Sequence, residues 1–234
     1  MFSHTRELFV SESWRDDRVA ALFRNAESIT APPDFIAFIV RVIDGIAKAE
    51  GTTESPKASH RVRHLHFWRN TYANLITVDH DSRLVTHVCA YAPDPGHQAD
   101  WWLLLRNPAN YMHNIINRFP AMTHLGFNLY YTEGAEQDLQ RYTPAPFMQV
   151  LATALQHSQL QVIAIRVAGS YNSRWEEVLA ALLSVKDVGS RLRVWKDTKR
   201  IKLWSYRLQE DMFAGTSIWT EAVPLRLFDT AKPV

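Results

Sequence analysis

The chain of 234 residues contains a single cysteine, Cys89, so no intrachain disulfide can staple it. A lone cysteine on a strand reads as a small buried hydrophobe, and the count suits a reducing compartment. Glycine is sparse at 8 residues, and lysine is sparser still, 7 against 19 arginines. No apolar run approaches the ~18–20 residues needed to cross a bilayer. The longest candidate, 35–47, is interrupted by Arg41 and Asp44. The opening residues lack a basic start and an apolar stretch, so the expectation is a cytoplasmic protein with no membrane partner. HExxH, GxSxG, paired CxxC, Walker and dinucleotide patterns are all missing. Nothing therefore points to a cofactor, and none is expected.

What is present is an uneven distribution of charge. Residues 191–207 hold seven Lys or Arg, one Asp and the aromatics Trp195, Trp204 and Tyr206. Residues 60–69 add Arg61, Arg63, Arg69, three histidines, Phe67 and Trp68, with no acid. These two runs combine ten cations with one acid, while the rest of the chain has 16 cations and 23 acids. A formal net charge of +2 thus hides a strong asymmetry, which points to an anionic partner.

With 47% hydrophobic and 21% charged residues, the composition is that of a globular domain. Helices are expected over 13–23 and after Pro32-Pro33, where Phe35, Ile39, Val42, Ile43 and Ile46 recur at helical spacing. The polar stretch 51–59 reads as a loop. Extended segments are expected at 7–11, 62–68, 73–78 and 84–91, the last two joined as a hairpin by an Asx-rich turn at 79–82. Asn107-Pro108 opens a helix carrying Met112, Ile115, Ile116 and Phe119, stopped by Pro120. A strand over 125–132, a helix over 147–158 and a strand over 160–168 follow. Ser173 and Glu176 suggest a capping box for a helix over 174–186. No internal repeat stands out.

The fold class expected is α+β, a largely antiparallel sheet with helices packed on one face. A ferredoxin-like layer is the template for 147–207. The segmentation is an N-terminal helical segment over 1–50, an α+β core over 60–208 and an irregular tail over 209–234, together one compact unit.

A second hairpin is expected over 191–207, turning at Lys196-Asp197-Thr198-Lys199. It sets Val194 opposite Ile201 and Leu192 opposite Leu203 on an apolar face. The other face presents Arg191, Arg193, Trp195, Arg200, Lys202 and Trp204. Arg193 facing Lys202 calls for a compensating anion, and Trp–Arg pairs would form a flat basic-aromatic shelf. Such shelves bind single strands by stacking on bases and contacting phosphates. The expected partner is RNA or another single-stranded nucleic acid, with Arg61, Arg63 and Arg69 extending the surface. The alternative is a non-enzymatic subunit or adaptor that docks its basic face on an acidic protein partner.

If the chain is an enzyme, a metal-independent endoribonuclease is the first expectation, with His64, His66 and Tyr206 as candidate catalytic residues. That clustering requires the two basic segments to be sheet neighbours. His64 and His66 share a strand face, but two imidazoles do not make a metal site, and no metal is expected. The loop 169–173 lies between a strand and a helix, where a phosphate could sit, but its single glycine favours an ordinary connection.

Overall fold

The computed structural model describes residues 7–9, 26–31, 62–67, 84–91, 108–131, 145–169, 174–185, 191–199, 208, 210–211 and 214–229. Eight strands form one sheet: β1 (Glu7–Phe9), β2 (Ser28–Ala31), β3 (His64–Phe67), β4 (His87–Tyr91), β5 (His124–Tyr131), β6 (Val162–Gly169), β7 (Leu192–Lys196) and β8 (Val223–Pro224). Their spatial order follows their order in sequence. Every neighbouring pair from β1 to β7 is parallel, and β8 alone runs antiparallel, against β7. Among the described residues, three helices whose full bounds are described lie between strands: α1 (Pro108–Arg118), α2 (Ala145–Gln156) and α3 (Trp175–Ser184). Two single-turn helices, α4 (Ile218–Glu221) and α5 (Arg226–Asp229), flank β8.

This topology overturns the expectation of a largely antiparallel, ferredoxin-like sheet. Parallel neighbours taken in sequence order are the arrangement of stacked strand–connection units, each pairing with the units beside it. The two expected hairpins fail for one reason, which is that a strand has only two edges. β4 uses its edges on β3 and β5, so it cannot also pair with 73–78. β7 uses its edges on β6 and on β8, where Arg193 pairs with Pro224 and Val194 with Val223. The other arm of that expected hairpin, 200–207, lies outside the described residues. The expected strand 73–78 and the expected helices over 13–23 and 33–50 lie outside the described residues, as does Ser173. Helix α3 has Arg174 as its N-cap, with no side-chain cap.

The alternation of side chains sorts the sheet into two faces. On one, Ile29, Leu65, Val88, Ala90, Leu125, Phe127, Ile163, Ile165, Val167, Leu192 and Val194 form the main core. Helices α1 to α3 cover this face with apolar residues at i, i+3, i+4 and i+7. Helix α1 supplies Met112, Ile115 and Ile116, with Phe119 just beyond its end, and α2 supplies Phe147, Val150, Leu151, Ala154 and Leu155. The four apolar positions expected after Pro108 are all buried. Each large aliphatic side chain buried here contributes ~1.5–3 kcal/mol.

The second face is polar. It carries three rows set by the strand register: His64–His87–His124–Val162, then His66–Cys89–Gly126–Ala164–Arg193, then Asn128–Arg166–Trp195. Leu208, Asp211 and residues 214–222, expected to belong largely to an irregular tail, return across this face. There Ile218 and Ala222 pack with Cys89 and Ala164. Strand β6 is consequently buried on both sides along most of its length.

Candidate functional site: a histidine ladder under a C-terminal strap

The first row of the polar face is a stack of imidazoles. The His64 and His87 ring centroids are 4.3 Å apart with the rings tilted at 55°, and those of His87 and His124 are 4.0 Å apart with the rings stacked nearly parallel. Parallel register places equivalent positions of adjacent strands side by side, so one histidine per strand becomes a ladder. A threonine precedes two of the rungs and acts alike in both. The Thr86 hydroxyl lies 2.9 Å from His87 Nδ1 and 3.5 Å from the Arg63 carbonyl. The Thr123 hydroxyl lies 2.9 Å from His124 Nδ1 and 3.5 Å from the Thr86 carbonyl. A hydroxyl whose proton faces a carbonyl accepts from Nδ1–H, which leaves Nε2 of the imidazole as an acceptor.

Trp219 on α4 covers the ladder. Its ring meets His87 edge-on at 5.2 Å and His124 at 5.9 Å, and its indole N–H donates to His66 Nε2 at 3.2 Å. Two features fix the indole. A reciprocal capping box orients α4: the Ser217 hydroxyl accepts from the Thr220 N–H, and Thr220 Oγ1 accepts from the Ser217 N–H. The second is the absent side chain of Gly126, where an added Cβ would lie 3.0 Å from both the Trp219 ring and Cys89 Sγ.

The third row supplies a buried ion cluster. Arg166 is 2% exposed and donates from Nε to Asp197 at 3.0 Å, pairs with that carboxylate again through Nη2, and lies 2.7 Å from Asp211 Oδ2 through Nη1. Its guanidinium carbon stands 3.9 Å from the centre of the Trp195 ring. Thr216 ties Asp211 into the strap, its hydroxyl 3.1 Å from Asp211 Oδ1 and its N–H donating to the Asp211 carbonyl at 2.9 Å. Between ladder, ion cluster and strap lies a cavity of ≈ 310 Å³, lined by groups that include Ser28, Thr30, His66, His87, Asp211 and Trp219.

The cluster disfavours protonation of His66, His87 and His124. Burial, followed by His64 and Arg166, pulls His66 down to about 4. Burial and the neighbouring His124, His64 and His66 pull His87 down to about 3. His124 is also lowered, by burial, Arg193 and His64. Burial pushes the Cys89 thiol up to about 12, against the opposing pull of Arg166 and of the Asn128 amide, which donates to Sγ at 3.1 Å. Cys89 is thus a neutral, unreactive thiol at pH 7.

The structure joins some of the expected site residues and separates others. His64 and His66 do share a face, and both line the cavity. They are not beside the second basic run, because β4, β5 and β6 stand between β3 and β7. Four strand spacings put those segments ~19 Å apart. Arg191 turns away from any shelf and donates to the carbonyls of Leu155, His157 and Leu160, where α2 ends. It satisfies C-terminal carbonyls and complements the helix dipole. Trp195 lies against Arg166, and Ile218 and Ala222 belong to the same packed cluster. Arg193 is half-buried on the polar face, and Arg63 is exposed just before β3. Arg61, Arg69, Arg200, Lys202, Trp204 and Tyr206 lie outside the described residues.

His87, His124, Asn128, Arg166, Asp197, Asp211 and Trp219 are the members that sequence reasoning did not assemble. The signal for two of them was the repeated Thr-His pair at 86–87 and 123–124, with Arg63-His64 as a weaker third copy. Among the described residues, no group of three or more His, Cys, Asp or Glu is arranged to hold a metal ion. No helix among them is long and apolar enough to cross a membrane. No family model matches the chain, and neither the curated proteins nor the solved structures give a match.

Proposed function

We propose that this chain is a non-enzymatic interaction module, a subunit or adaptor that binds its partner through the polar face of the sheet. The observation that carries this reading is the strap: Leu208, Asp211 and residues 214–222 fold back over the histidine ladder and leave a cavity of mixed polar and apolar lining beneath them. A row of strands with one face filled by helices and the other open to a ligand is a scaffold suited to recognition. The ladder is also poorly suited to proton transfer at pH 7. A general acid or base works best with a pKa near the working pH. His66 and His87 lie well below it, and the Nε2 of His66 already accepts from Trp219.

RNA binding, with or without cleavage, is the competing proposal. It draws on the charge asymmetry and on exposed cations such as Arg63, Lys196 and Lys199. Two measurements separate the readings. The first is a nuclease-treated pull-down from an extract of the source cells, comparing the wild-type chain with Thr30→Arg, which fills the cavity. A defined protein retained by the wild type and lost by the variant supports the module. The second is the fluorescence anisotropy of labelled single-stranded RNA over a salt series. Steeply salt-dependent binding, weakened by Arg63→Ala and Arg193→Ala but indifferent to Thr30→Arg, would replace the module with a nucleic-acid protein.

A further inference from the structure

The chemistry of the cavity wall narrows what can enter it. At ≈ 310 Å³ the space is at the small end of ligand pockets and fits a small molecule or one inserted side chain. Arg166 is the only Lys or Arg among the described lining residues, and its guanidinium is turned onto Asp197 and Asp211. The other strong nitrogen donors are also engaged: the Trp219 indole donates to His66, and the Asn128 amide to Cys89. The rest of the wall combines apolar groups, Leu208 and Ile218 among them, with a set of acceptors. In the tautomer whose Nδ1–H donates to the Thr86 hydroxyl, Nε2 of His87 is an acceptor, and Ser28, Thr30, Thr216, Ser217 and Thr220 contribute hydroxyl oxygens. An anion would meet the Asp211 carboxylate and find Arg166 already held. A cation with several N–H groups meets the Asp211 carboxylate and hydroxyl oxygens on part of the wall, while Leu208 and Ile218 on the rest suit its alkyl stem.

We propose that this cavity accepts a cationic nitrogen head group, an alkylammonium or a guanidinium, carried by a lysine or arginine side chain of the partner or by a free amine. The inference deepens the interaction-module reading by naming what the polar face recognises. It also redirects the expected chemistry, because the sequence pointed to an anionic partner, nucleic acid first and an acidic protein as the alternative, and the cavity favours a cationic group.

The test is a titration of the full chain followed through its histidine ring NMR signals. The probes are n-butylammonium, n-butylguanidinium, n-butanol, butyrate and inorganic phosphate. Saturable shifts of the His66 and His87 signals with the two cations are expected, with butanol at least about tenfold weaker (~1.4 kcal/mol) and no saturation by the anions. Equal binding of butanol, or preferential binding of butyrate or phosphate, would overturn the proposal. Asp211→Asn and Thr30→Val should each weaken n-butylammonium several-fold. If Asp211→Asn fails to fold, His87→Phe, which keeps a stacking ring but removes the acceptor, takes its place. Unchanged amine binding in both Thr30→Val and His87→Phe would sink the assignment.

Blocked Gly-Lys-Gly and Gly-Arg-Gly peptides distinguish the sources. Tighter binding of a peptide than of the free amine supports a partner side chain, and the reverse overturns that part alone. Amine binding without a protein partner would retain the cavity and remove the adaptor. A partner captured equally by wild type and Asp211→Asn, with no response to any cation, would do the opposite.

Discussion

Trp219 donates its indole N–H to His66 across 153 positions of sequence, and this bond joins the strap to the third strand of the sheet. The indole also lies edge-on to His87 and His124, so one side chain connects β3, β4 and β5 to α4. Trp219→Ala removes the aromatic contacts and leaves a buried acceptor on His66. A loss of ~2–4 kcal/mol is expected, read as a lower urea midpoint by circular dichroism. Trp219→Phe should recover the packing but not the hydrogen bond, and fall between the two.

Acid should loosen the same contact. An unfolded histidine titrates near ~6.5, whereas His66 and His87 in the folded chain titrate near about 4 and about 3. Below pH 6.5 the unfolded chain therefore takes up protons that the folded chain refuses. These two groups leave stability unaffected above that pH and lower it progressively as pH falls towards 4 and 3. Urea midpoints at pH 7.5, 6 and 5 should show the decline. His87→Phe should flatten it, since that ring stacks without titrating, and an equally steep decline in the variant would refute the ladder as its source.

Gly126→Ala should be costly although the change is one methyl group. The new Cβ would lie 3.0 Å from Trp219 and 3.0 Å from Cys89 Sγ, so the strap or the strand must give way. Overpacking of this kind costs ~1–3 kcal/mol. In the Trp219→Ala background the penalty should shrink, and a double-mutant cycle on unfolding free energies measures that coupling.

Arg166→Met should be among the most damaging single changes. It removes the cation between Asp197 and Asp211, both under 5% exposed. Breaking a buried pair from one side costs ~3–5 kcal/mol. Asp197→Asn combined with Asp211→Asn in the Arg166→Met chain should restore part of the loss, since no buried charge is then left over from the triad. Thermal midpoints for the three chains test this.

How far the sequence revealed this molecule depended on the range of the signal. Local patterns were legible: extended character at 62–68 and 84–91 and the β-rich apolar run at 160–168 marked the strands His64–Phe67, His87–Tyr91 and Val162–Gly169, and the spacing of Met112, Ile115, Ile116 and Phe119 marked the buried side of α1. Pairing was not legible, because alternation says which way a side chain points and not which strand lies beside it. Asp197 reads as a turn residue when Lys196 and Lys199 surround it, and only its burial against Arg166 shows otherwise. β2 escaped notice because Ser28–Ala31 offers a single strongly apolar side chain, Ile29. The repeat was obscured by uneven spacing: equivalent threonine contacts span 23 residues in one unit and 37 in the next.

That unevenness has an evolutionary consequence. A ladder whose rungs each bring their own histidine, with a threonine at two of them to set the ring, can be lengthened by copying one rung, because every new copy carries its own fittings. The intervening connections are then free to drift in length while the rungs stay in step. Kin of this chain should differ most in how many rungs they possess and least in the short Thr-His signature that stacks them.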